Sequence, residues 1–172
     1  MTRESKVKGA GVLLGIGLGG FFDGIALHQI AQWHQMLSAV VPPESMEAMK
    51  RNMAADGWFH AAVWLATLAG VLVLWSAVRG PGALPPARVL AGNMLLGWGG
   101  FNLVEGIIDH HLLELHHVRD LPQHVPLYDW LFLLAGGVGL ILAGLAVRAG
   151  RRGAPADQAE RRSGQERRLS YR

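Results

Sequence analysis

The chain has 172 residues, of which 51% are hydrophobic and only 17% are charged, and it contains no cysteine. Soluble domains average about 25% charged residues, so this composition argues against an ordinary soluble protein. Without cysteine, disulfides, thiolate metal sites, iron–sulfur clusters and cysteine nucleophiles are excluded. The net charge of +3 does not indicate nucleic-acid binding, because the basic residues flank apolar segments and do not form one binding face.

Four apolar segments follow one another, each close to the roughly 20 residues that a helix needs to cross a bilayer. The predicted transmembrane helices cover residues 9–36, 57–78, 89–117 and 128–147. The first is not interpreted as a signal peptide, because it is too long and continues into Asp23 and His28 without a small-residue cleavage site. The sequence therefore predicts an all-α membrane domain over residues 1–150, a four-helix bundle, and a basic, disordered cytoplasmic tail over 151–172.

The distribution of Lys and Arg predicts the orientation. Thirteen of the 16 basic residues lie before the first helix, between the second and third, or after the fourth. Because basic loops stay on the cytoplasmic side, we expect a multi-pass protein of the bacterial inner membrane with both termini in the cytoplasm. Loops 37–56 and 112–127 then face outward. The inner halves of the helices lack ionisable residues, which disfavours transport through the bundle.

Residues 23–35 and 105–117 repeat each other without gaps, at an offset of 82 positions. The matched pairs are Asp23 and Glu105, Gly24 and Gly106, Ile25 and Ile107, His28 and His110, and His34 and His116. We predict two repeated helical hairpins related by a pseudo-two-fold axis along the membrane normal, which would bring matched residues to the same depth.

All eight histidines lie in the outer halves of the predicted helices or in the outer loops. Carboxylates accompany them, and an ionisable group inside a membrane marks a functional site by default. Inward-pointing carboxylates and histidines of a four-helix bundle form non-haem di-metal sites. The predicted metal ligands are Asp23, His28, His34, His60, Glu105, Asp109, His110, His111, His116 and His117. His124 is interpreted as a loop residue outside the site.

An α-helix turns about 100° per residue, which divides these groups between two helix faces. The first face carries Asp23, His34, Glu105, Asp109 and His116. The second carries His110, Glu114 and His117, with His28, Gln32 and Gln35 as counterparts. The sequence does not decide which face binds the metal, nor does it assign a catalytic residue.

Met46, Met49 and Met53 recur at helical spacing in the first outer loop. Thioether sulfur favours Cu(I), so this stripe is one candidate for copper capture. The preferred interpretation is an amphipathic loop helix that packs its apolar stripe onto the bundle.

Four segments resemble a bacterial membrane family catalogued as domain of unknown function 2243. They are DGIALHQIAQWHQM, DGWFHAA, FNLVEGIIDHHLLELHHV and YDWLFLLAG, and the resemblance covers about residues 10–148. It implies a four-helix membrane protein with no established activity. The family's occurrence near respiratory-oxidase and copper-related genes implies redox-metal biology and partners of that kind. Its members often carry histidine at the position of Gln35, which makes Gln35 a poor ligand candidate.

Several functions remain open. The first is a membrane oxidoreductase with a di-iron or copper centre, and the second is a copper or zinc handling or delivery protein. A haem b protein with His28 and His110 as axial ligands ranks lower, because haem does not need so many carboxylates. A zinc-dependent lipid hydrolase is also compatible with these ligands. Iron or copper is favoured, zinc is compatible, and a homo-oligomer is one of the oligomeric states left open.

Overall fold

A computed structural model describes residues 1–150 and shows four long helices there, without strands. The helices are α1 (Arg3–Ala31), α2 (Met46–Val78), α3 (87–112) and α4 (Pro126–Ala149). The predicted all-α class is confirmed for this part of the chain. The predicted cytoplasmic tail, 151–172, lies outside the described residues.

Three of these helices, α1, α2 and α4, are long and apolar enough to cross a membrane, with mean hydropathies of 1.8, 2.1 and 2.3 over their best windows. The sequence analysis expected four such helices. α3 is not among the three, because Asn93, Asn102 and Glu105 interrupt its apolar residues. All three of these polar side chains are buried, so the polar groups of α3 face the protein interior.

Close helix packing depends on glycine at two matched positions. α3 packs along both α1 and α4, and α1 also packs along α2. A Cβ atom added to Gly15 would collide with the carbonyl oxygen of Met94, and one added to Gly97 would collide with that of Val12. Glycine therefore lets the backbones of α1 and α3 approach more closely than any side chain would allow.

The side chains that are buried in this protein are of the opposite kind to those buried in a soluble domain. Large apolar side chains such as Trp64, Leu72 and Leu142 are more than half exposed. Twelve polar or charged side chains are buried, against five hydrophobic ones, among the described residues. An apolar exterior around a polar interior suits a chain surrounded by lipid.

α1 and α3 change from α-helical to wider π-helical turns at their C-terminal ends, over Asp23–Ala31 and Gly106–Leu112. We call this end of the bundle its outer end. The backbone then turns left-handed at Gln32 (φ 52°) and Glu114 (φ 47°). A left-handed residue commonly ends a helix. α1 and α3 consequently end before residues 36 and 117, where the sequence analysis had extended them.

α2 begins much earlier than its predicted transmembrane segment. Ser45 caps its first turn, because its side-chain oxygen accepts a hydrogen bond from the Ala48 amide at 3.1 Å. With 33 residues, the helix is about 50 Å long, well over the bilayer's hydrocarbon thickness. The three methionines thus lie on its outer end, and their side chains are exposed rather than packed onto the bundle.

Candidate metal centre

The π-helical turns align residues that an α-helix would separate. In a π-helix the hydrogen bonds join residues five apart, so positions i and i+5 lie on one face. Asp23 and His28 have this spacing at the start of the π-helical turns of α1, as do Glu105 and His110 in α3. The two faces that the sequence analysis separated therefore combine into one cluster.

In the half of the cluster contributed by α1, two histidines approach one carboxylate. His28 Nε2 lies 2.9 Å from Asp23 Oδ2, and His34 Nε2 lies 3.7 Å from Asp23 Oδ1. All three side chains are at most 2% exposed. His34 is not on the helix itself but on the loop that turns back after Gln32.

The half contributed by α3 has the same arrangement. One oxygen of Glu105, Oε1, lies 3.2 Å from His110 Nε2 and 3.1 Å from His116 Nε2. His110 and His116 are 2% and 0% exposed. Each half thus presents two imidazoles and one carboxylate to the interior of the bundle.

The four imidazole rings form a continuous row across the centre. Ring centroids are 4.3 Å apart between His28 and His34, 4.7 Å between His34 and His116, and 4.9 Å between His116 and His110. His34 and His116 therefore stand between His28 and His110.

Two of the imidazoles are held by the opposite half of the protein. His34 Nδ1 lies 2.9 Å from the carbonyl oxygen of Val118, and His116 Nδ1 lies 3.3 Å from that of Met36. Because a carbonyl only accepts hydrogen bonds, each Nδ1 must carry the proton. Each Nε2 then faces a carboxylate: it donates a proton to that carboxylate in the imidazolium form, as His116 can to Glu105 at 3.1 Å, and offers a lone pair to a metal ion in the neutral form.

The other two imidazoles are supported by aspartates. His28 Nδ1 lies 3.1 Å from Asp56 Oδ1 on α2, and His110 Nδ1 lies 3.5 Å from Asp129 Oδ1 on α4. His28 Nδ1 forms a hydrogen bond with Asp56, whereas His110 Nδ1 lies near Asp129 without a hydrogen-bond partner in the described residues. A second ring nitrogen that donates to a carboxylate or a carbonyl is typical of histidines that bind metal ions. Asp56 and Asp129 were not among the predicted ligands, although each lies at the outer end of a predicted helix and close to a tryptophan.

Several buried atoms of the centre have no hydrogen-bond partner within the described residues. They are Nε2 of His28 and His34, both ring nitrogens of His110, both carboxylate oxygens of Asp23, and Oε2 of Glu105. The Asp23 and His28 atoms are close, but their angles do not suit a hydrogen bond. Buried polar atoms are normally satisfied, and a positive ion among them would satisfy nitrogen lone pairs and carboxylate oxygens together.

Two groups of atoms are close enough to share an ion. One contains His28, His34 and His116, and the other contains Glu105, His110 and His116; within each group all ligand atoms lie within 4.8 Å of one another. His116 belongs to both groups. The two groups therefore overlap at this residue.

The outer loops cover the centre and connect the two halves. The amide of Ala39 donates to the carbonyl of Leu115 at 3.1 Å, and the amide of Leu121 donates to that of Trp33 at 2.8 Å. The loops after α1 and α3 therefore cross over one another. Their pairing explains why His34 and His116 are fully buried although both lie beyond the helix ends.

The remaining predicted ligands lie around the centre rather than in it. His60 packs against the backbone of Gly24, and His111 contacts the Trp130 ring. Asp109 is half-buried on the outer turn of α3 and belongs to neither group.

His117 belongs to a separate group with His124 and Asp129. Burial lowers the pKa of His117. This effect is larger than that of the Asp129 carboxylate, which raises the pKa. The imidazole is consequently neutral at pH 7, the form that binds metal ions. The structure thus brings His124, which the sequence analysis set aside, next to one of the predicted ligands.

Comparison with known proteins identifies the family. Residues 10–151 match the family described as predicted membrane protein DUF2243, so the chain belongs to that family of membrane proteins. The resemblance found in the sequence is confirmed. No curated protein and no solved structure is significantly similar to the chain.

Proposed function

We propose that this membrane protein binds a pair of transition-metal ions in the His/carboxylate centre and uses them as a redox centre. The orientation of the four buried imidazoles carries this proposal. His28, His34, His110 and His116 all direct Nδ1 to a carbonyl or a carboxylate and Nε2 to an inner carboxylate. Histidines that bind metal ions almost always place the second ring nitrogen on a carboxylate or a carbonyl in this way, which leaves Nε2 for the ion.

Each half of the centre supplies one ligand set. Asp23, His28 and His34 form the first set, and Glu105, His110 and His116 form the second. Two histidines and one carboxylate with open positions are typical of non-haem iron, and imidazole also suits copper and zinc. Because His116 is close to both ion positions, the two ions would be neighbours. Iron or copper would then provide one-electron chemistry at a site shielded from water.

The contacts of the two halves support a protein built from two repeated helical hairpins. The support of His34 by Val118 matches the support of His116 by Met36, because each residue of one contact lies 82 positions from its equivalent in the other. On this proposal a pseudo-two-fold axis passes between His34 and His116. α3 would cross the membrane as the fourth span, packed between α1 and α4.

The proposed orientation places the centre on the periplasmic side of the bacterial inner membrane. It rests on the concentration of Lys and Arg at the end of the bundle opposite to the centre. Reporter fusions to both termini would test it. Both fusions should report a cytoplasmic location, and a periplasmic C-terminus would contradict the proposed side of the centre.

Metal counting tests the function directly. The full chain should be purified in detergent without a polyhistidine tag, and bound metals should be measured by elemental analysis. We expect about two ions of iron or copper per chain. H116A should lose the ion of the second set and weaken the first, because His116 is a ligand of one set and lies close to the other, whereas H111A should keep the metal, since His111 packs on Trp130.

Different outcomes of this experiment test the metal centre and its redox role separately. Full metal retention in both H116A and E105A would contradict the centre. Zinc as the bound metal would leave the ligand assignment intact but contradict a redox role. Correct insertion of each variant is checked by its size-exclusion profile in detergent.

A metal-handling function is the second candidate, and one cavity favours it. The cavity has a volume of about 350 Å³ and reaches His28 from the surface. Its lining includes Met49, Met53, Gln32 and Gln35. Methionine sulfur selects Cu(I), so this cavity would suit copper on its way to or from the centre. M49L/M53L should weaken Cu(I) binding without changing bound iron, and unchanged Cu(I) affinity would contradict this function.

A further inference from the structure

A second cluster of ligand atoms lies outside the centre, on the loop between α3 and α4. His124 Nε2 lies 2.9 Å from Asp129 Oδ2, and His117 Nδ1 lies 3.3 Å from the same oxygen. The two imidazole rings are stacked, with centroids 3.8 Å apart and planes inclined by 15°. The three ligand atoms all lie within 4.8 Å of one another. They therefore converge on one point.

This cluster is accessible from outside, unlike the centre. The side chain of His124 is 40% exposed and that of His117 is 15% exposed, whereas the four histidines of the centre have 0% side-chain exposure. An ion held here could exchange with ions in the surrounding water. One buried nitrogen, His117 Nδ1, also has no hydrogen-bond partner among residues 1–150, so its lone pair or proton is available to a ligand.

Asp129 faces both sites with different oxygens. Its Oδ1 accepts a hydrogen bond from the Val118 amide at 2.8 Å and lies 3.5 Å from His110 Nδ1. Its Oδ2 faces His117 and His124. The inner oxygen alone holds the loop and lies beside His110. The outer oxygen is left to His124, which forms a hydrogen bond with it, and to His117.

The equivalent aspartate of the first half confirms that the outer histidines are not needed for support. Asp56 Oδ1 accepts a hydrogen bond from the Met36 amide at 2.9 Å and lies 3.1 Å from His28 Nδ1. No histidine faces its second oxygen, which has no hydrogen-bond partner in the described part of the chain. Gln35 occupies the position that corresponds to His117 in the repeat. Among the described residues, the outer cluster is thus present in the second half and not in the first.

We propose that His117, His124 and Asp129 form an outer, exchangeable binding site for a divalent first-row transition-metal ion, separate from the buried centre. Two imidazoles and a carboxylate suit zinc and copper(II), and three protein ligands leave a coordination position for water. The ion binds more weakly than in the centre because the site is partly hydrated. The shared Asp129 links occupancy of this site to the orientation of His110.

Zinc titration of the full, untagged chain in detergent tests this site. Zn²⁺ alone is the probe, and a chromophoric chelator competing for it reports the affinity. Wild-type protein should bind one zinc ion that the chelator removes rapidly. H117N and H124N should each lower the affinity for this ion at least tenfold. H111N is the matched control, because His111 lies on the same part of the chain but contacts Trp130 and the Gly106 carbonyl.

The variants distinguish this site from the centre. His124 lies on an exposed loop, so H124N should keep the size-exclusion profile and thermal midpoint of the wild type. H116A should retain the exchangeable zinc even if the buried centre is lost. Wild-type zinc affinity in both H117N and H124N, or an equal loss in H111N, would overturn the outer site whether or not the centre binds metal.

Discussion

In the half of the centre contributed by α1, Asp56 supports His28, and in the half contributed by α3, Asp129 supports His110. The interior of the two halves is thus alike. Their outer edges are not. Beyond Asp56 lies an open cavity lined by glutamine and methionine, whereas His117 and His124 occupy the space beyond Asp129.

This difference follows from how polar groups are satisfied. Each buried imidazole needs a partner for both of its nitrogens, so a change in one inner residue leaves another polar group without a partner at high cost. At the edge, water can replace a missing partner. The outer residues could therefore diverge between the repeats while the inner ligands and their supporting aspartates stayed alike.

The largest effect is expected from removing the inner carboxylates. D23N and E105Q should each lose about one of the two ions, because each carboxylate lies close to two imidazoles of its own half. The double variant should lose both. Elemental analysis of the three proteins measures this. Complete loss of metal in only one of the single variants would show that the halves are not equivalent.

A smaller effect is expected from the supporting aspartates. Loss of a group that orients a ligating histidine lowers metal affinity about 10–100-fold. D56N should weaken one buried position, whereas D129N should weaken one buried position and the outer site together. Competition titrations with zinc measure both affinities. E47Q is the control, since Glu47 is exposed and pairs only with Arg51 in the described residues, and identical titrations for D56N and D129N would contradict the proposed asymmetry.

The smallest difference between the two halves is expected for the stability cost of alanine substitutions at the matched glycines, Gly15 and Gly97. G15A and G97A each place a methyl group against a backbone carbonyl of the facing helix. Such overpacking costs about 1–3 kcal/mol, and the two costs should be similar because the contacts correspond to each other in the repeat. Thermal unfolding in detergent measures them. G100A is the control, since a Cβ atom there meets nothing within 4 Å; a full cost in G100A would assign the effect to the helix backbone instead.

Sequence periodicity was sufficient to predict four helices and to group the histidines with carboxylates. Periodicity could not distinguish the inner ligands from neighbouring residues, because the assignment of residues to helix faces assumed the α-helical rotation of about 100° per residue. The π-helical turns bring Asp23 and His28 together, and a spacing of five residues in both repeats was the available signal. The roles of Asp56 and Asp129 depend on how α2 and α4 pack, which no local pattern contains.

The crossing of the loops after α1 and α3 could not be predicted either, because it also depends on contacts between residues far apart in the sequence. His34 and His116 are held by carbonyls 84 and 80 residues away along the chain. Only the left-handed turns at Gln32 and Glu114 direct the loops back over the centre. Neither residue is a glycine, so the sequence contained no strong signal for these turns.

X-ray absorption of the metal-loaded chain tests the central claim most directly, since it reports both the ligands and the neighbouring ion. A dinuclear centre predicts imidazole nitrogen and carboxylate oxygen ligands together with a metal–metal distance of about 3.5–4 Å. The metal–metal signal should disappear in H116A. Isolated ions without a metal neighbour in the fully loaded wild-type protein would contradict the dinuclear centre.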